Sequence, residues 1–105
     1  MKHINSVAAH DQLIADSNVV VVKYGAVWCK PCARLGVELA KMAAEFESVI
    51  FASVDVDKVK HFRGCALPTV KIYENGEEVD MAVGGSASPF IREILEEMEG
   101  RAKQP

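Results

Sequence analysis

The chain has 105 residues, half of them apolar and about a quarter charged, with a net charge of −3. That profile fits one ordinary globular domain, residues 1–105, large enough to bury a core of its own. It offers no basic face for nucleic acid, no polybasic membrane anchor and no apolar run long enough to span a bilayer.

The N-terminal stretch MKHINSVAAHDQ lacks the apolar core of a secretory signal, so the expected location is the cytoplasm. Lys2–Ile4 reads as a short strand. Ser6 can cap a helix over Val7–Asp16, with Val7, Leu13 and Ile14 facing inward. Val19–Tyr24 does not alternate and reads as a strand buried on both faces. From Pro31 to Glu47 the period becomes helical: Leu35, Leu39, Met42 and Phe46 share one face. Ile50–Val56 is the next strand, followed by a short helix or turn over Asp57–Phe62 that Asp55 and Asp57 are placed to cap.

Thr69–Glu74 and Glu77–Val83 form a hairpin around Asn75-Gly76. Val79, Met81 and Val83 alternate, which predicts a half-exposed strand near an edge. Ser88-Pro89 marks a cap and first turn, and Phe90, Ile91, Ile94, Leu95 and Met98 form the buried face of the helix it opens. Gly100 is expected to end that helix, leaving RAKQP frayed. His3, His10 and His61 stand in no acid–base constellation and read as surface residues. The glutamates of Glu93–Glu99 read as a solvated face. The order β-α-β-α-β-α-β-β-α predicts an α/β fold. Its central sheet should be mixed, with parallel pairs, a C-terminal antiparallel hairpin and helices on both faces.

Three cysteines are present: Cys29, Cys32 and Cys65. In WCKPC (Trp28–Cys32), Cys29 ends the loop after a buried strand and Pro31 suits the first turn of a helix. Free N–H groups and the positive end of the helix dipole favour a thiolate at that point. The i, i+3 spacing lets the two sulfurs bridge, with Cys29 outermost as nucleophile and Cys32 resolving. Trp28 would shield the pair and offer an apolar surface to a partner. A Cys-x-x-Cys after a strand and opening a helix is a strong redox signal. Two other readings stand beside it: a zinc site drawn from Cys29, Cys32, Cys65 and His61, and a purely structural disulfide.

AVWCKPC, the ALPT of Ala66–Thr69, the ENGEEV of Glu74–Val79 and the VGG of Val83–Gly85 follow in an order and spacing that resembles the thioredoxin family over nearly the whole chain. The resemblance implies the thioredoxin fold and dithiol–disulfide exchange with protein substrates, through the Cys29–Cys32 pair and without any other cofactor or metal. It implies that Pro68 is a cis-proline facing the cysteines, that the Leu67 backbone pairs with an extended substrate segment, and that Gly84 keeps the rim open. The substrate-binding rim is then Trp28, Pro31, Ala66, Leu67, Pro68, Val83 and Gly84. The implied partners are disulfide-containing proteins and a reductase such as thioredoxin reductase, with no nucleic acid or membrane and the chain a monomer. Alternatives are a docking module that uses the apolar rim without turnover, and a variant specialised toward oxidase or isomerase work.

The chain departs from the family at four places. Lys30 replaces the usual glycine between the cysteines. A cation there should stabilise the Cys29 thiolate and make the couple more oxidising; the plainer reading is an exposed, screened lysine of little effect. Lys23 stands where the family usually carries a buried aspartate, and Ser53 where it often has a lysine. Lys23 either takes up a proton, tunes a thiolate at Cys32 by its charge, or snorkels to water. Gly36-Val37 replaces a frequent proline kink. Cys65 lies three residues before Pro68 and is a candidate regulatory or dimerising thiol, or a loop residue without redox consequence.

Overall fold

A computed structural model of the protein describes residues 1–102. The elements are β1 (Lys2–Ile4), α1 (Val7–Asp16), β2 (Val19–Gly25), α2 (Lys30–Glu45), β3 (Ile50–Asp55), a 3₁₀ turn (Lys60–Phe62), β4 (Thr69–Glu74), β5 (Glu77–Val83) and α3 (Ser88–Ala102). The five strands form one sheet in the order β1-β3-β2-β4-β5. β1 and β2 both run parallel to β3, whereas β4 is antiparallel to β2 and to β5. Strand–helix–strand connections produce the parallel half, and the Asn75-Gly76 turn, with both residues at positive φ, produces the hairpin.

β2 is central and its side chains alternate between two cores. Val20, Val22 and Tyr24 join Ile4, Ala52, Val54 and Val59 on the α1 side, where Val7 and Leu13 pack. Val21 joins Leu35, Leu39 and Met42 of α2 with Ile91 and Leu95 of α3 on the other. Fully burying each of these large aliphatic side chains contributes about 1.5–3 kcal/mol. α3 is further tied to the end of α2 by the Arg92 guanidinium. It donates two hydrogen bonds to the Glu45 carboxylate and holds that carboxyl below its usual range.

Several expectations need correction. His10 is buried, only 6 % exposed, because it shares the inward stripe of α1 with Val7 and Ile14 and finds a partner there in Tyr24. Phe90 is 44 % exposed and stays off the core of α3. Ile91 and Leu95 carry that core, while Ile94 and Met98 are partly buried. Ser88 is the first residue of α3 rather than its cap, since the helix already begins with the Ile91 N–H donating to the Ala87 carbonyl. Gly100 does not end α3, which continues to Ala102. A glycine in a helix costs only about 1 kcal/mol and cannot stop it unaided. The fraying expected of Arg101–Pro105 does not begin at Arg101, which is helical; residues 103–105 lie outside the described residues. The 3₁₀ turn covers only the second half of the predicted segment. Asp55 does cap the approach to it, accepting from the Asp57 N–H at 2.9 Å.

Candidate functional site

Cys29 is the N-cap of α2. Its sulfur accepts the Cys32 N–H at 3.3 Å, and Pro31 occupies the first turn, where a missing N–H costs nothing. The two cysteines form a disulfide, with Cα atoms 5.3 Å apart. Both are buried. A sulfur at this position receives the first free N–H groups and the positive end of a 16-residue helix, so the reduced Cys29 is favoured as a thiolate.

The loops around the pair are held together by glycine. The Leu67–Pro68 peptide is cis, and the Pro68 carbonyl accepts the Gly84 N–H at 2.9 Å. Gly84 itself has φ +106, a conformation that a side chain would strain. Next to it, a Cβ on Gly85 would stand 2.9 Å from Pro31 Cβ and 3.2 Å from the Pro31 carbonyl oxygen. Gly84 and Gly85 therefore bring the end of β5 against the cis-proline on one side and the start of α2 on the other. Val83 remains exposed, as do Ala66 and, in part, Leu67. Trp28 is 70 % exposed, and its indole N–H donates to Asp57 Oδ2 at 2.8 Å. Asp57 thus positions Trp28 and does not cap the turn that follows, the role expected of it. Gly85 and Asp57 were not singled out as site residues in the sequence. The second glycine of VGG was the only available sign of the first, and nothing local announces the Asp57–Trp28 contact across 29 residues.

Lys23 faces α2. It pairs in register with Ser53 on one side and Val70 on the other, so the expected neighbourhood of Lys23 and Ser53 is present. Its Nζ donates to the Cys32 carbonyl at 3.3 Å, and partial burial pushes the ammonium below the ordinary lysine value. Beside it lies a cavity of about 340 Å³ lined by Lys23, Gly25, Cys32, His3, Ser53, Asp55 and Lys58 among others. Lys30, the first residue of α2, is exposed. α2 continues unbroken through Gly36.

Cys65 is a free, exposed thiol whose S–H donates to the Phe62 carbonyl at 3.5 Å. It borders a separate cavity of about 130 Å³ walled by His10, Tyr24, Phe62 and Tyr73. The candidate zinc set of Cys29, Cys32, Cys65 and His61 is not assembled: among the described residues no three His, Cys, Asp or Glu side chains are placed to share a metal ion.

A mixed sheet that delivers a Cys-x-x-Cys disulfide to the start of a helix, beside a cis-proline loop, defines a thiol–disulfide oxidoreductase. The chain belongs to the thioredoxin family, whose model, described as Thioredoxin, matches residues 2–97. It is 30% identical to thioredoxin 1 of Plasmodium falciparum over 100 residues, 91% of this chain and 95% of that one. It is 36% identical to the thioredoxin of Mycoplasma pneumoniae over 85 residues, 77% of this chain and 83% of that one. Among solved structures, Plasmodium falciparum thioredoxin superposes with a TM-score of 0.84 at 29% identity, covering 92% of this chain and 98% of that one. Trypanosoma brucei brucei thioredoxin gives 0.85 at 27%, covering 93% and 89%. The chain is accordingly a protein-disulfide reductase of the thioredoxin type. Among the described residues, no helix is long and apolar enough to cross a membrane.

Proposed function

We propose that Cys29 is the attacking nucleophile and Cys32 the resolving thiol in the reduction of protein disulfides. The observation that carries this assignment is the Cys29 sulfur at the N-cap of α2, with Cys32 one turn further in. The Cys29 thiolate attacks one sulfur of the target, whose partner sulfur leaves as a thiolate. Cys32 then loses its proton and attacks Cys29 Sγ. The bond from Cys29 to the target breaks, the second target sulfur leaves with the electron pair, and both target thiolates take protons from solvent.

Trp28, Pro31, Ala66, Leu67, Pro68, Val83 and Gly84 form the rim that receives the target, with the Leu67 backbone available to an extended segment as an added strand. Lys30 adds a screened positive charge beside Cys29. The targets are disulfide-bearing proteins, and a reductase of the thioredoxin-reductase kind returns the dithiol. The chain acts as a single-domain monomer in the cytoplasm, with the cysteine pair as its only redox group. The insulin-disulfide reduction assay with dithiothreitol as electron source tests the assignment. Turnover is expected in the wild type and is lost in Cys29→Ser, while Cys32→Ser, reduced beforehand and freed of dithiothreitol, is trapped as a mixed disulfide with insulin. Turnover that survives Cys29→Ser would refute it, and binding without turnover in the wild type would favour a docking module.

A further inference from the structure

The exchange steps above do not use Lys23, the cation that contacts Cys32. Lys23 reaches Cys32 from behind, where Gly36 leaves room for the ammonium and Gly25 leaves room for the Cys32 side chain. A Cβ on Gly36 would stand 2.8 Å from Lys23 Nζ, closer than real Cβ contacts allow. A Cβ on Gly25 would stand 3.0 Å from Cys32 Sγ and 3.9 Å from Lys23 Cε. A side chain at residue 25 would therefore crowd the Cys32 sulfur and narrow the gap between it and the lysine stem. The ammonium is anchored on the Cys32 carbonyl, and the adjoining cavity, about 340 Å³, gives the gap access to solvent.

We propose that Lys23 is a positioning residue for the resolving step: its ammonium, seated over Gly36 and against Cys32, favours the Cys32 thiolate, and residue 36 is glycine so that the ammonium can sit there. The inference rests on Cys32 being the resolving thiol. In that step Cys32 S–H gives its proton to solvent, the thiolate attacks Cys29 Sγ, and the target sulfur leaves with the electron pair. A positive charge beside the forming thiolate lowers the cost of the first event. His3 from β1, and Asp55 and Lys58 at and beyond the end of β3, also face the cavity. They are unchanged in every variant below, so differences report on Lys23 alone.

Single-turnover reaction with Ellman's disulfide isolates the step, in a Cys65→Ser background that removes the exposed third thiol. Attack by Cys29 releases one thionitrobenzoate, and resolution by Cys32 releases the second. Lys23→Met is expected to slow the second phase about threefold at pH 7 and to move its pH profile up by roughly one unit. A one-unit rise in thiol pKa removes most of the thiolate, and higher nucleophilicity returns only part of that rate. Gly36→Ala should do the same by displacing the ammonium, and should have no further effect once Lys23 is Met. A helix glycine with no tenant over it would show only the gain in thermal stability that alanine brings, with the pH profile unmoved. An unshifted profile in Lys23→Met, or additive effects in the double variant, would overturn the proposal. The insulin assay on the wild type tests the exchange reading by itself, which keeps the two failures apart.

Discussion

Tyr24→Phe is the most informative stability variant, because the Tyr24 hydroxyl serves two partners at once. It lies 2.7 Å from His10 Nε2 and 2.7 Å from the Tyr73 hydroxyl. Tyr73 is only partly buried and can turn to water once the bond is gone. His10 cannot: it is buried among Tyr24, Phe62 and Tyr73, with its other nitrogen engaged by Asp11 at 2.8 Å. A buried polar group left without a partner costs about 1–3 kcal/mol, and a lost hydrogen bond about 0.5–1.5. The expected loss is therefore about 2–3 kcal/mol, or roughly 10–20 °C in Tm for a domain of this size. Urea unfolding of the oxidised protein, followed by far-UV circular dichroism, measures it. His10→Phe in the same background removes the stranded nitrogen and sets a second ring against Phe62, so about 1–2 kcal/mol should return. The pH dependence provides an independent check. Burial raises the pKa of both Tyr24 and Tyr73. The native state thus resists ionisation that the unfolded chain undergoes near pH 10. Their contribution is complete below that pH and is lost as pH rises beyond it, and the fall should be shallower in Tyr24→Phe. A loss under about 0.5 kcal/mol, or no recovery in the double variant, would refute the reasoning.

Three further outcomes are expected. Lys30→Gly should make the reduction potential more negative by only about 5–20 mV, since an exposed charge contributes about 0.2–1 kcal/mol and 30 mV corresponds to 1.4. Equilibration with glutathione at low and high salt measures this; an unchanged or less negative value at low salt would count against any tuning by Lys30. Gly85→Val should cost about 1–3 kcal/mol and slow insulin reduction, because its side chain must displace the Pro31 backbone at the start of α2; thermal melts and the turbidity assay read both, and wild-type values in each would refute the contact. Asp57→Ala frees the Trp28 indole. It should raise KM for insulin severalfold with kcat little changed, and a fall in kcat alone would mean that Asp57 acts on the chemistry instead.

The order of elements, the mixed sheet and the helix that carries the cysteines are legible because each has a local signature: an apolar run, a helical period, an Asn-Gly turn, a Cys-x-x-Cys; the cis-proline follows from the resemblance to the thioredoxin family. The errors fell where a residue's surroundings come from distant segments. His10 was assigned to the surface by type, although its position in the α1 stripe already pointed inward. Asp57 lies in the expected turn, but proximity in sequence suggests a cap, whereas its side chain accepts from Trp28. Gly25, Gly36 and Gly85 matter for the space they leave, and a sequence shows an absent side chain without showing what would have filled the gap.

Lys23 and Tyr24 sharpen the point. They are adjacent on the central strand, polar where the flanking valines are apolar, and the pleat sends them to opposite faces. Tyr24 enters the α1 core, where it is fully partnered by His10 and Tyr73. That arrangement is self-contained, and its removal should register in stability. Lys23 enters the α2 side, where its hydrogen-bond partner among the described residues is the Cys32 carbonyl and Gly36 leaves space for its ammonium. A cation kept half-buried on the backbone of a redox cysteine, beside an open cavity, is poorly arranged as a structural anchor, and the role proposed for it is to act on that cysteine. The two residues should therefore separate in experiment: Tyr24→Phe should lower stability and leave the pH profile of the resolving step in place, and Lys23→Met should move the profile while costing little stability.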